Sequence, residues 1–171
     1  KEKNPNLKVV GVDPVGSIYY DYFRTGRITT AHSYTVEGFG EDFLPSTMSF
    51  DVVDDIVRVT DKECFDWTRR MVREEGIYCG GSAGGAVRAA VRWAEQNPGK
   101  KNILVILPDS AVRYLSKIFD DNWMKENGYL EPEYGTDRVQ DLVHEDGMVP
   151  ERACERRQTP RLTQNPRGCG S

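Results

Sequence analysis

The stretch Ile77-Tyr78-Cys79-Gly80-Gly81-Ser82-Ala83-Gly84-Gly85 decides how this chain is read. A short apolar run meets glycines on both sides of Ser82 and Ala83. Ala83, Ala86, Val87, Ala90, Val91 and Ala94 then repeat at helical spacing. Strand, glycine-rich turn and helix follow in that order, and the small-residue stripe lets the helix pack closely on a sheet. Asn97-Pro98-Gly99 stops the helix.

Outward from this unit the same alternation continues. Upstream, Asp55–Val59 reads as a strand; Thr60 then caps a helix, with Glu63 three residues later completing a capping box. Cys64, Thr68, Met71, Val72 and Glu75 share one face of that helix, which Gly76 ends. Downstream, Asn102–Leu107 (Asn-Ile-Leu-Val-Ile-Leu) is the clearest buried strand, closed by Pro108-Asp109, and short helices are predicted at Arg113–Ile118 and Asp120–Asn127. Near the start, Leu7–Val12 reads as a buried strand closed by Asp13-Pro14. Residues 13–50 are irregular apart from short helical pieces around Ile18–Phe23, and a loop of that length is functional or a lid. Strand and helix alternate without an internal repeat, so the predicted class is α/β with a mainly parallel sheet and flanking helices.

Lys1-Glu2-Lys3-Asn4-Pro5-Asn6 reads as the end of a helix, and the chain does not begin with Met, so it reads as starting inside a domain. Residues 1–130 are predicted to form one folded part. Residues 131–171 are predicted to be a linker and a disordered tail, because Glu151–Ser171 is rich in Arg and Pro and holds almost nothing apolar.

Composition narrows the function. The 171 residues suffice for one domain, and a net charge of −4 argues against a partner that is a nucleic acid or an anionic membrane. There is no run of about 18 apolar residues and no signal peptide, which makes the cytoplasm the default location. Cys64, Cys79, Cys154 and Cys169 form no Cys-x-x-Cys pair, and His32 and His144 alone could complement them. Reduced thiols and no metal site are the expectation.

In parallel α/β sheets, ligands gather beyond the carboxyl ends of the strands. Here those ends are Asp13-Pro14, Gly80–Gly85 and Pro108–Ser110. Glycines at 80–85 let backbone approach a ligand, and a helix N-terminus offers free N–H groups. Ser82 is predicted at the N-cap, where its hydroxyl either caps the helix or bonds a ligand; the pattern leaves both open. The stretch is neither Gly-x-Gly-x-x-Gly nor a Walker loop. Tyr34-Thr35-Val36-Glu37-Gly38-Phe39-Gly40-Glu41-Asp42-Phe43-Leu44-Pro45 suits either a solvated acidic loop or a mobile one that closes over a small polar substrate. Its carboxylates do not have the spacing of a calcium loop. Asp13, Asp109 and Ser110 read equally as caps or site residues, His32 as a surface or packing residue. No Ser–His or Cys–His motif for nucleophilic catalysis is present.

Taken in order, Val9-Val-Gly-Val-Asp-Pro14, Val36-Glu-Gly-Phe-Gly40, Phe43-Leu-Pro45, Cys79-Gly-Gly-Ser-Ala-Gly84, Ile106-Leu-Pro-Asp-Ser110 and Asn122-Trp-Met124 resemble the later part of the catalytic domain of the cystathionine β-synthase/cysteine synthase family. These are fold-type II pyridoxal-phosphate (PLP) enzymes, similar to the tryptophan synthase β-subunit. The resemblance covers residues 1 to about 130 and implies PLP-dependent β-replacement in sulfur amino-acid metabolism, a lyase or transferase chemistry that yields cystathionine or cysteine. It implies that Ser82, Gly81 and Gly38 contact the cofactor and that Glu37, Phe39 and Gly40 line the substrate pocket. It further implies amino-acid and thiol or sulfide substrates, and a homodimer in the complete protein. The family's Schiff-base lysine and phosphate-binding loop lie upstream of the matching segment, and no lysine here matches that motif. These residues alone are therefore expected to be inactive, either as part of an enzyme or as a non-catalytic relative that serves as a binding module.

Overall fold

The structure, a computed structural model, describes residues 1–99 and 102–131. The site rests on two parallel strands. β1 (Val10–Pro14) pairs with β2 (Asp55–Val59) from Val10↔Asp55 to Pro14↔Val59. β2 matches the predicted Asp55–Val59, whereas β1 runs through Asp13-Pro14, because Val15 N–H still donates to Val59 O at 2.9 Å. Asp13 is thus fully buried at the end of a strand. Its carboxylate accepts from Tyr20 N–H at 2.9 Å and so fixes the first turn of α1 (Tyr19–Thr25), which Gly26 closes at φ 69°.

The β2–α2 junction follows local sequence rules. Thr60 accepts from Glu63 N–H while Glu63 accepts from Thr60 N–H at 3.0 Å, the reciprocal cap that starts α2 (Asp61–Glu75). Gly76 ends it in the left-handed conformation at φ 68°. α2 lies against α3 (Gly81–Gln96), and α4 (Asp121–Glu126) closes the far side behind a 3-10 turn at Ala111–Tyr114. Asp120 caps α4 by accepting from Asn122 and Trp123 N–H. The core gathers Val36, Val57, Val59, Phe65, Ile118 and Met124. Phe65 meets Tyr129 and Trp123 edge-on, with ring centroids 4.8 and 5.8 Å apart. Burying a ring of this size contributes about 1.5–3 kcal/mol, so these contacts hold the C-terminal cap onto α2.

Five expectations need correction. Residues 102–107 form no strand: Leu104 is 92% and Ile106 76% exposed, and no backbone bond joins this segment to another described residue. An apolar run becomes a strand only beside an edge, and no described strand lies next to it. Residues 77–79 likewise form only one antiparallel bridge pair, Cys79–Ser110. Residues 1–6 form a bend and a turn, in which Leu7 N–H donates to Asn4 O, and no helical turn. On α3, Ala83 and Ala89 are buried, while Ala86 and Ala90 of the predicted stripe are half-exposed. Finally, the helix predicted at Arg113–Ile118 is the 3-10 turn at Ala111–Tyr114 followed by irregular backbone. No described helix is long and apolar enough to cross a membrane. The predicted tail, with His144, Cys154 and Cys169, lies outside the described residues.

Candidate functional site

Gly80 takes the N-cap position of α3 in extended backbone (φ −90°, ψ −178°). Ser82 therefore sits inside the first turn, not at the N-cap as predicted, and its hydroxyl caps nothing. The side chain is 4% exposed and Oγ has no hydrogen-bond partner. A buried, unpaired hydroxyl costs about 1–3 kcal/mol, so one kept in this position suits a group that is added later.

The glycines around Ser82 have a different task. A Cβ on Gly84 would lie 2.2 Å from Thr68 Oγ1 and 2.3 Å from Cys64 O; one on Gly85 would lie 2.8 Å from Cys64 Sγ. These two glycines let α3 touch α2. A Cβ on Gly80 would fall 2.1 Å from Asp109 Oδ1, and one on Gly81 would fall 3.1 Å from Ile118 Cδ1 and Val36 Cγ2. At Gly81, predicted to contact a cofactor, the space a Cβ would take is already filled by Ile118 and Val36.

Gly38 is the glycine that faces Ser82. It sits at φ +94°, and a Cβ there would meet Ser82 Oγ at 3.3 Å. The loop that carries it is strapped at both ends. Thr35 and Val36 N–H donate to the two oxygens of Asp61 at 2.7 and 2.9 Å. At the other end, Ser17 Oγ accepts from Glu41 N–H at 3.0 Å, and Ile18 N–H donates to Glu41 O at 3.1 Å. Gly40, at φ +77°, leaves room for Pro14, which a Cβ would meet at 2.4 Å. Held this way, Gly38, Phe39 and Gly40 line an open pocket of about 640 Å³ with Tyr19, Tyr34 and Met48. Phe39 also reaches down to Gly85. Glu37 lines the same pocket and is bound to Lys117.

The structure thus brings Ser82 and Gly38 together and puts Glu37, Phe39 and Gly40 on one pocket wall. Sequence reasoning missed Asp61, Ser17 and Lys117, which position that wall. Asp61 was visible only as an ordinary acid in a first helical turn; nothing local ties it to residue 35.

Asp109 and Tyr114 form a second polar pair beside Gly80. Tyr114 OH donates to Asp109 Oδ2 at 2.5 Å, and Asp109 Oδ1 is buried without a partner. Burial, then the bond to Asp109, pushes the Tyr114 phenol up to about 12. Burial also raises the Asp13 carboxyl and the Cys64 and Cys79 thiols. Those two thiols are free and held protonated, which makes them poor nucleophiles. His32 is exposed and engaged by its backbone N–H with Gly16 O. Among the described residues no cluster of three His, Cys, Asp or Glu side chains could hold a metal. Lys1 and Lys8 pair with Asp54, Lys62 with Asp66 and Lys117 with Glu37.

The unpaired, buried hydroxyl of Ser82 and the Gly38 backbone that faces it form a small polar spot under the loop that lines the pocket. Fold and site together describe an α/β cofactor-binding segment. Residues 1–109 match the family described as pyridoxal-phosphate dependent enzyme, and the chain belongs to that family. Cystathionine beta-synthase of Oryctolagus cuniculus is 44% identical over 133 residues, which are 78% of this chain and 24% of the rabbit protein. Its namesake in Dictyostelium discoideum is 41% identical over 136 residues, 80% of this chain and 27% of that protein. The crystal structure of the O-acetylserine dependent cystathionine beta-synthase from Helicobacter pylori is similar with a TM-score of 0.58 and 32% identity. That alignment covers 68% of this chain and 36% of the other. The chain therefore spans about a quarter of the curated relatives it matches.

Proposed function

We propose that these residues are the later part of the catalytic domain of a PLP-dependent β-replacement enzyme of sulfur amino-acid metabolism. Its product would be cystathionine, from serine or an activated serine with homocysteine, or cysteine, from an activated serine with sulfide. The observation that carries this is Ser82: a hydroxyl 4% exposed, without a protein partner, facing the bare Cα of Gly38. When bound, PLP supplies an electron sink for cleavage of bonds around an amino-acid Cα. Ser82 would hold the pyridine nitrogen by a neutral hydroxyl, which leaves that nitrogen largely unprotonated. Gly81 lies beside Ser82 and, without a Cβ to press on Val36, would contact the cofactor through its backbone. Glu37, Phe39 and Gly40 would bind the amino acid, with Lys117 fixing the orientation of the Glu37 carboxylate and Asp61 fixing the strand of loop that precedes it.

A second reading is a non-catalytic relative that keeps half the site as a binding module. It is favoured by the engagement of Lys117, the lysine beside this pocket, with Glu37. The test is intact mass of the 171-residue chain after PLP and borohydride, with the visible spectrum taken before reduction. No band and no stoichiometric adduct is the expected result for residues that lack the family's lysine. A single pyridoxyl adduct on one lysine of this chain would overturn the partial-site reading and locate a replacement lysine.

A further inference from the structure

We infer that Tyr129 is a positioning residue of the substrate pocket: from the C-terminal end of the described fold, its hydroxyl clamps Thr35 and Asp61, which set the pocket wall at Glu37–Gly40. That a substrate binds at this wall rests on the function proposed above; the clamp itself does not.

The Tyr129 hydroxyl donates to Thr35 Oγ1 at 2.7 Å and, more loosely, to Asp61 Oδ2 at 3.3 Å. Asp61 also receives Thr35 and Val36 N–H at 2.7 and 2.9 Å. Three donors from two distant segments thus converge on one carboxylate. Val36 is buried and leads directly into Glu37, Gly38, Phe39 and Gly40, which line the pocket. A shift of Asp61 or Thr35 therefore reaches the pocket through one residue of backbone.

Tyr129 is itself held on every side. Its ring meets Phe65 edge-on at 4.8 Å and stacks on Trp123 at 5.8 Å. Its N–H donates to Met124 O at 2.8 Å, and its carbonyl accepts from Lys62 Nζ at 3.1 Å. Lys62 follows Asp61, so the first turn of α2 grips this residue at both carbonyl and hydroxyl. Packing has already fixed the ring, so the hydroxyl loses little further freedom when it bonds. Burial raises the phenol, which keeps it the protonated donor that an acceptor-only carboxylate needs. The ring contacts need no hydroxyl, since a phenylalanine would fill the same space. Among the described residues the hydroxyl serves only Thr35 and Asp61, 94 and 68 positions away in the chain.

The test is amide exchange on the 171-residue chain and steady-state kinetics on the complete enzyme, each with Tyr129→Phe, which keeps the ring and removes the hydroxyl. In the chain, Thr35 and Val36 amides should exchange about 5-fold faster, the equivalent of one ordinary hydrogen bond. Amides of α3 should exchange as in the parent. Thr35→Val, at an exposed position, removes the same bond from the other side and should speed Val36 exchange likewise. The double variant should exchange little faster than Tyr129→Phe alone, because both changes delete one shared interaction. In the complete enzyme, KM for the amino-acid substrate should rise about 5-fold with kcat within a factor of about two, as expected when binding geometry alone is lost. A tyrosine that only packs would speed exchange across α2 and α3 and leave KM unmoved. Unaltered exchange at Thr35 and Val36, additive single variants or an unmoved KM would each overturn the inference. The exchange measurements need no PLP, which keeps the two ideas apart. Coupled loop amides in a complete protein without PLP-dependent turnover refute the proposed function alone, and turnover whose KM ignores Tyr129 refutes this inference alone.

Discussion

Gly84→Ala decides whether the glycine-rich segment is a ligand cradle or a packing device. The added methyl would lie 2.2 Å from Thr68 Oγ1, 2.3 Å from Cys64 O and 2.5 Å from Thr68 N. Two of those atoms are α2 backbone and cannot rotate away. Thr68 cannot yield freely either, because its hydroxyl lies 2.8 Å from Cys64 O and 3.0 Å from Gly80 O. The helices must therefore separate, which strains the contact that buries Cys64, Phe65 and Ala89. Overpacking of this kind costs about 3 kcal/mol, at the upper end of its usual range, because backbone is what must move. Replacing Gly by Ala inside a helix returns about 1 kcal/mol. The net expectation is a loss of about 2 kcal/mol, or roughly 4–8 °C in Tm for a domain of this size. Urea and thermal unfolding followed by far-ultraviolet circular dichroism on the 171-residue chain measures it. A variant as stable as the parent, or more stable by the helical gain, would refute the packing role and return Gly84 to the ligand site.

Ser82→Ala should leave the stability of the chain unchanged or raise it by about 1 kcal/mol, because the hydroxyl it removes is buried and unpaired. In the complete enzyme the same change should lower turnover more than it weakens PLP binding; a loss of stability of about 1 kcal/mol would instead mean that the hydroxyl caps α3. Asp61→Asn removes the carboxylate that receives Thr35 and Val36 N–H, and should cost about 1–2 kcal/mol with faster exchange at those two amides. Unaltered exchange at both would exclude Asp61 as the anchor of the loop. Tyr114 is raised from 10.0 to about 12, so its neutral form is favoured by the folded state. Stability from this group is complete below pH 10, the unfolded value, and falls as pH rises toward about 12. Phenolate absorbance against pH should show a late-titrating tyrosine that Tyr114→Phe removes; a Phe variant with the parent's alkaline profile would contradict the assignment.

Much of the frame was legible in the sequence because its signals act over a few residues. Thr60 and Glu63 make the cap of α2, Gly76 its end, and β2 falls on the predicted Asp55–Val59. The paired glycines around Phe39 marked the 34–45 segment as a loop, and Ser82 could be singled out as a hydroxyl at the start of a helix.

What the sequence could not assign were the partners of these local features, since a contact between elements distant in the chain leaves no local trace. Whether Gly84 serves a ligand or a helix depends on where Thr68 stands, and that is set by the crossing of α2 and α3. The hold of Asp61 on Thr35 and of Lys117 on Glu37 depends on how α2 and the C-terminal cap pack around Phe65. Apolar residues at 102–107 spelled a strand by composition, but a strand exists only through hydrogen bonds to a neighbouring edge. Composition determined the tendency; the tertiary structure, which offers no described strand beside that segment, decided that it stays exposed.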